Sequence, residues 1–168
     1  MLKEFGMSPK RLKAKGTEVQ SDDVSVIAAR AALETYSSRR FPLFTEDTGL
    51  WVTSLGGFPG PYASFAYRTI GVAGLLELAR SSKDRSAEFR SAVAYCAGRG
   101  VNVFEGRLKG RLALEARGRN GFGFDPVFIA EGDDRTLAEL SVREKCEVSH
   151  RARALRALAD WLTSRRRR

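Results

Sequence analysis

The sequence has few of the residues that build disulfide scaffolds and metal clusters, and it has no long apolar run. Its 168 residues include two cysteines, Cys96 and Cys146, and a single histidine, His150. The cysteines have neither metal-site spacing nor a redox motif, which predicts free thiols. No apolar run approaches the roughly 18 residues that a membrane-spanning helix needs, and no secretory signal pattern occurs. We therefore expect a cytoplasmic protein that has no membrane partner.

The overall composition is that of an ordinary globular protein. Hydrophobic residues make up 43% of the chain and charged residues 29%. A chain of this length suits one domain and can bury roughly 70% of its unfolded surface. We expect residues 1–168 to form a single domain, possessing two lobes at most, with residues 165–168 as a basic tail.

Positive charge is the most unusual feature of the composition. The net charge is +9, and residues 151–168 contribute +6 of it through seven arginines and one aspartate. Such a balance first suggests a nucleic-acid partner, although a nucleoside triphosphate is a smaller polyanion that a basic surface also attracts. The sequence lacks the interleaving of aromatic and basic residues that is typical of nucleic-acid readers, which disfavours nucleic acid as a partner.

An acidic stretch follows an apolar run near the middle of the first half. The pattern predicts a buried strand over residues 41–45, which delivers Glu46 and Asp47 to a sheet edge. Gly49 would let the chain turn back into a second short strand over residues 50–52. Successive strand residues point to opposite faces, so one acid can be anchored while the other faces a ligand or a metal. The alternative interpretation is a solvated acidic turn.

The remaining pattern mixes helices and strands. We predict a helix over 23–36, a hairpin over 87–97 and 101–114, and a final helix that begins at Ser149-His150-Arg151. Gly106 and Gly110 indicate a bulge or a close backbone approach within the hairpin. The glycine- and proline-rich stretch 56–62 is either a connector or the wall of a site. The predicted fold is α/β, with a mixed sheet and helices on both faces.

Six motifs occur in order along the chain. They are Glu46-Asp47-Thr48-Gly49-Leu50, Gly57–Tyr62, Arg68-Thr69-Ile70-Gly71, Gly121–Pro126, Glu144-Lys145 and Ser149-His150-Arg151. Together they resemble the inosine triphosphate pyrophosphatase family, and the archaeal branch in particular, over about residues 18–162. The resemblance implies hydrolysis of ITP, dITP or XTP to the monophosphate and pyrophosphate, an elongated two-lobed fold with a central cleft, a magnesium ion (or manganese), and a homodimer.

The resemblance also implies residue roles at the phosphate end. Asp47 becomes the general base and a metal ligand, and Glu18 and Glu46 support the metal. A hard cation held by carboxylates suits this chemistry, because attack on phosphorus occurs amid negative charge. Further residues implied to bind substrate are Thr48 and the phosphate-holding side chains Arg30 and Lys145.

At the base end, the resemblance assigns the loop 122–125 to purine binding, including Gly123 and Phe124. Phe122 would stack on the purine, and Asp125 would accept a hydrogen bond from the ring N–H of a 6-oxo purine. His150 and Arg151 would donate to the 6-oxo oxygen, whereas a 6-amino group would leave these donors unpaired. A histidine that only caps or packs is the alternative for His150. We expect the acidic corner and this purine slot to lie across one cleft.

One feature of the family is missing. Relatives open with a strand that ends in Ser/Thr-x-Asn-x-x-Lys, a loop that binds triphosphate, and no such motif occurs here. We expect a fold that lacks the first strand. Either the start was placed too late in the gene, which the intact remaining motifs favour, or the chain is an impaired homologue that binds nucleotide or nucleic acid through its basic surface. An exposed inner strand edge would favour dimerisation.

Overall fold

A five-stranded antiparallel sheet forms the centre of the protein. A computed structural model describes residues 8–12, 19–98 and 100–166. The strands are β1 (Leu43–Val52), β2 (Pro59–Gly60), β3 (Ser86–Cys96), β4 (Val101–Leu112) and β5 (Phe128–Ala130), in the sheet order β2-β1-β3-β4-β5. The helices are α1 (Val24–Arg39), α2 (Ala63–Thr69), α3 (Gly71–Leu78), α4 (Val142–Val148) and α5 (His150–Arg166).

This architecture confirms the predicted α/β class. All strand pairings between described residues are antiparallel, so the parallel part of a mixed sheet is not seen there. Among the described residues, α1 is the first regular element. None of the helices described has the length and apolar content to cross a bilayer.

Helices cover both faces of the sheet. Successive residues of a strand point to opposite faces, and both faces of β3 carry small or apolar side chains. On one face, Ala92 and Ala94 of β3 pack against Ala28 and Ala32 of α1, and these small side chains let the helix approach closely. On the other face, Val93 packs against α5. A third and larger core lies under β2, β5 and α3. The sheet is therefore the rigid support of both surfaces on which candidate residues lie.

β1 is one unbroken strand, and the prediction of a turn at Gly49 was wrong. The strand pairs with β3 from Leu43 to Val52, so the acids lie within it and not in an acidic turn. Gly49 is required for a different reason. A Cβ at this position would lie 2.7 Å from the Trp51 ring and would clash with the carbonyl oxygen of Gly60. Close packing of Trp51 and of Gly60 in β2 therefore leaves no room for a side chain at position 49.

Beside the acids, one edge of β1 has no strand partner among the described residues. β2 pairs with β1 only at Leu50 and Trp51, and within 8–12, 19–98 and 100–166 no other strand pairs with the edge from Leu43 to Gly49. A groove of about 950 Å³ runs along this edge, extends to α1 and is also lined by residues 9–12. Both acids of β1 therefore border a groove.

The predicted hairpin is confirmed, and its two glycines mark close approaches. β3 and β4 pair in continuous register from Ser86↔Arg111 to Cys96↔Val101, without a bulge. A Cβ at Gly106 would clash with the carbonyl oxygen of His150, and one at Gly110 with that of Ile129. Gly106 therefore determines how closely α5 lies on the sheet.

Three other local features complete the fold. Ser141 begins α4 with a capping box, and hydrogen bonds with Ser141 lower the pKa of Glu144 to about 2. The glycine- and proline-rich stretch forms β2 and packs against Trp51. α2 was not predicted.

Candidate functional site

Glu46 is held in place by three donors on three different elements. Its Oε1 atom accepts hydrogen bonds from Thr48 Oγ1 at 2.6 Å, from Ser91 Oγ at 2.9 Å and from Arg151 Nε at 2.7 Å. Thr48 lies on β1, Ser91 on β3 and Arg151 on α5. The structure thus joins one predicted acid directly to a predicted base-binding residue.

Sequence reasoning did not identify Ser91. This residue is 1% exposed, and its Oγ atom lies 2.9 Å from Thr48 Oγ1. The two residues lie directly opposite each other in the β1–β3 ladder. Only that register relates Ser91 to the site, because a lone serine in a strand carries no signal of its own.

Asp47 lies on the other face of β1. It shares that face with Thr45, whose hydroxyl donates to the Ala28 carbonyl oxygen of α1 at 2.7 Å. Glu46 and Thr48 lie on the α5 face. Both acids nevertheless line the groove along the edge of β1. Glu46 and Asp47 thus have different surroundings on the two faces of β1, as predicted, although both line the same groove.

The loop 121–125 is organised around a buried carboxylate. Asp125 is 3% exposed and accepts a hydrogen bond from the Phe122 backbone N–H at 2.6 Å. The same oxygen accepts from Lys145 Nζ on α4. Gly121 has φ +79°, and a Cβ there would clash with the Asp125 carboxylate. The loop is thereby fixed around Asp125.

Phe122 presents its ring on the surface beside two cations. The residue is 63% exposed, and its ring centroid lies 4.8 Å from Lys145 Nζ and 5.0 Å from Arg151 Cζ. An exposed aromatic face with flanking donors is suited to a flat, hydrogen-bonding ligand. These contacts put Lys145 at the same end of the site as Phe122, whereas the motif predicted a phosphate contact for it.

Two neighbours in this loop have different surroundings. Phe124 is buried in the core, where its ring meets Tyr67 edge-to-face with centroids 5.6 Å apart. Gly123 has φ +60° and borders open space. The Phe124 side chain therefore supports the loop from below.

His150 is buried at the start of α5. It is 6% exposed, and its ring stacks on Phe89 with centroids 4.6 Å apart and an interplanar angle of 12°. Burial, with the nearby charges of Arg151, Lys145 and Arg153, lowers the pKa of His150 to about 3. Its Nδ1 atom has no hydrogen-bond partner among the described residues. The imidazole is therefore neutral at neutral pH.

Arg30 is not part of this cluster, and one further predicted residue cannot be placed. Arg30 is exposed on α1 and makes no hydrogen bond or ion pair with described residues. Glu18 lies outside the described residues. The structure therefore brings together Glu46, Thr48, Phe122, Asp125, Lys145, His150 and Arg151.

The carboxylates at the groove have the donor chemistry of a magnesium site. Magnesium prefers oxygen ligands and is often held by one or two carboxylates together with substrate phosphates. Glu46 and Asp47 border the same groove, and Glu46 Oε2 takes no hydrogen bond from a described residue. Within the described part of the chain, no group of three or more acidic, histidine or cysteine side chains could enclose a metal. The residues fit a cation that is shared with a phosphate.

These features define the class of protein. An exposed aromatic ring flanked by cations can take a base. Arg151 links this ring to Glu46, and the two carboxylates that line the groove can take a phosphate-bound cation. An α/β protein with this arrangement is a nucleotide-binding protein. Comparison with known proteins then identifies the family.

The Ham1 family model matches residues 1–161. The chain is 48% identical to the dITP/XTP pyrophosphatase of Pyrobaculum aerophilum over 98% of this chain and 88% of the relative. It is 45% identical to the dITP/XTP pyrophosphatase of Methanopyrus kandleri, over 96% of this chain and 86% of that protein. The chain belongs to the Ham1 family. This finding confirms the resemblance to the archaeal branch.

The fold is also that of solved Ham1 structures. A HAM1 protein from Coxiella burnetii superposes with a TM-score of 0.81 at 29% identity, over 97% of this chain and 84% of that one. The dITP/XTP pyrophosphatase from Mycobacterium abscessus gives a TM-score of 0.71 at 34% identity, over 89% of this chain and 82% of that one.

Proposed function

We propose that this chain hydrolyses the non-canonical purine nucleoside triphosphates dITP, ITP and XTP to the monophosphate and pyrophosphate. The relatives named above support the reaction. The observation on which the proposal depends is the ion pair between Arg151 and Glu46, because it connects the exposed Phe122 ring to the groove that Glu46 and Asp47 line. One substrate then reaches both ends of the site.

At the base end, the proposed recognition depends on hydrogen-bond polarity. Asp125 accepts from the protonated N1 of a 6-oxo purine, while His150 and Arg151 donate to its oxygen. The neutral imidazole of His150 has one N–H to give. A 6-amino purine would present a donor to these donors and would leave buried polar groups unpaired, which is costly.

At the phosphate end, Glu46 and Asp47 would hold the cation, with Glu18 as the third acid that the resemblance implies. When bound, magnesium or manganese neutralises phosphate charge and lowers the pKa of a water molecule. Asp47 accepts the proton of the attacking water, and Arg30 contacts phosphate oxygens, as the resemblance implies. The cytoplasmic location and the homodimer that the resemblance implies belong to the same proposal.

Product analysis tests the reaction. The protein is incubated with dITP and Mg²⁺, and the products are separated by ion-exchange chromatography. We expect dIMP and pyrophosphate in equal amounts, because the proposed reaction cleaves the bond between the α- and β-phosphates. Release of dIDP and inorganic phosphate, or no release from dITP and XTP, would contradict the proposal. An EDTA-treated sample serves as the control for the cation.

A further inference from the structure

Glu46 is more firmly anchored than a metal-supporting acid requires. Its three hydrogen bonds all end on Oε1, and one donor, Ser91, is almost completely buried. Side-chain atoms that are held from several directions lose their freedom before a ligand arrives. Oε1 therefore has a fixed position, whereas Oε2 accepts no hydrogen bond from a described residue.

The Arg151 guanidinium is positioned by this oxygen. Only its Nε atom donates to Glu46, at 2.7 Å, and neither Nη atom has a hydrogen-bond partner among the described residues. Its Cζ atom lies 5.0 Å from the Phe122 ring centroid. A planar guanidinium that is fixed along one side offers its remaining N–H groups in a defined direction.

We propose that Glu46 is a positioning residue for base recognition, which acts through Arg151 and is independent of any cation. Anchored by Thr48 and Ser91, Glu46 Oε1 holds the guanidinium so that the Nη donors meet the 6-oxo group of a purine stacked on Phe122. The inference rests on the proposed function, and it gives Glu46 a second task that needs no metal. Ser91 supports that task from β3.

Metal-free binding separates the two tasks of Glu46. Dissociation constants for inosine monophosphate and adenosine monophosphate are measured by calorimetry in EDTA, and the ratio of the two constants reports base discrimination. Effects on the phosphate cancel in this ratio. The variants are Glu46→Ala, Glu46→Gln and Ser91→Ala. Glu105→Gln is the matched control, because Glu105 lies on the opposite face of the sheet, where it is bound to Ser25 and Arg107.

We expect Glu46→Ala to reduce the preference for inosine monophosphate by about five-fold, the effect of losing one partly exposed ion pair. Glu46→Gln keeps an acceptor for Arg151 without the charge, so it should restore part of the ratio. Ser91→Ala should give a smaller loss, and Glu105→Gln none.

A double-mutant cycle with Arg151→Met guards against effects of misfolding. Once Arg151 is absent, Glu46→Gln should change the ratio no further. An unchanged ratio in Glu46→Ala, or an equal effect of Glu46→Gln with and without Arg151, would overturn the inference while leaving the hydrolase proposal intact. If the unmodified protein itself does not prefer inosine monophosphate, the proposed base slot fails, and this inference fails with it.

Discussion

Glu46 and Asp47 are neighbours in sequence, yet their side chains have different surroundings. Glu46 is anchored on the α5 face by Arg151, while Asp47 lies on the α1 face and borders the groove. A general base must be able to reach a water molecule beside the substrate. Because Asp47 borders the groove, we propose it for this role.

The substitution Asp47→Asn tests that assignment. It keeps the size of the side chain but removes its ability to accept a proton. We expect kcat for dITP to fall by about 10²- to 10⁴-fold. Binding of inosine monophosphate in EDTA should keep its preference over adenosine monophosphate. Steady-state kinetics and calorimetry provide the two measurements, and a variant that retains turnover would remove Asp47 from the role of base.

The buried His150 should make folding stability depend on pH. The pKa of His150 is lowered from 6.5 to about 3 in the folded protein. Below pH 6.5 the unfolded chain therefore binds a proton that the folded protein does not, and stability falls as the pH decreases towards 3. Between pH 7 and pH 5, this one group should cost about 2 kcal/mol.

Urea unfolding at pH 7 and pH 5 measures this effect in the unmodified protein and in the variant His150→Phe. The variant keeps a ring for stacking on Phe89. The variant should lose about 2 kcal/mol less than the unmodified protein over the same interval. The comparison is made within each protein, so a general change of stability cancels. Equal losses in both proteins would mean that His150 is not held neutral.

The cluster around Phe122 could be predicted from the sequence, and the residue that supports it from β3 could not. Phe122, Asp125 and Arg151 occur within dense local motifs, and the structure brings them together. Ser91 is separated from Glu46 by 45 positions and meets it only through the pairing of β1 with β3. Register of this kind depends on the whole sheet, which explains why local patterns did not reveal Ser91.

At the scale of elements, Gly106 controls the contact between β4 and α5. A side chain there would meet the carbonyl oxygen of His150 and lie 2.7 Å from the backbone nitrogen of Ala154. We expect Gly106→Ala to destabilise the protein by about 3 kcal/mol, since neither backbone can move without disturbing the sheet or the helix. The base preference should also fall, because α5 carries both His150 and Arg151.

Gly98→Ala is the control for this substitution. Gly98 lies at the end of the same hairpin, and a Cβ there would meet no atom within 4 Å. Denaturant unfolding should show a change of less than about 1 kcal/mol for this control. Similar losses for Gly98→Ala and Gly106→Ala would mean that the close approach is not the cause.

Local patterns predicted most elements but not how far they extend. The hairpin, α1 and α5 have strong periodic patterns or capping residues, and all three are confirmed. The sequence pattern predicts a turn at Gly49 and therefore two short strands, because a glycine often marks a turn. The contact of Gly49 with β2 and the Trp51 ring is a tertiary feature, and it overrides the local preference.

At the scale of the whole molecule, the basic C-terminal end is the basis of the alternative function. α5 continues to Arg166, and Arg165 Cζ lies 4.5 Å from the Trp161 ring. We expect deletion of residues 165–168 to leave kcat/KM for dITP unchanged within about two-fold, since exposed charges that are distant from a site contribute little. Loss of hydrolysis would connect this end to the active site.

The same deletion tests nucleic-acid binding. If the chain acted through its basic surface, the unmodified protein would bind an RNA or DNA oligonucleotide with a steep salt dependence, and the deletion would remove that binding. We expect no such difference at physiological salt. Fluorescence anisotropy with a labelled oligonucleotide at two salt concentrations makes the comparison.

The most direct test of the proposed function is the ratio of kcat/KM for dITP to that for dATP in the presence of Mg²⁺. The two substrates have the same sugar and triphosphate and differ only in the purine. A slot with Asp125 as acceptor and His150 and Arg151 as donors predicts a ratio of at least about 100 in favour of dITP. A ratio near one would show that this slot does not recognise the base and would contradict the account.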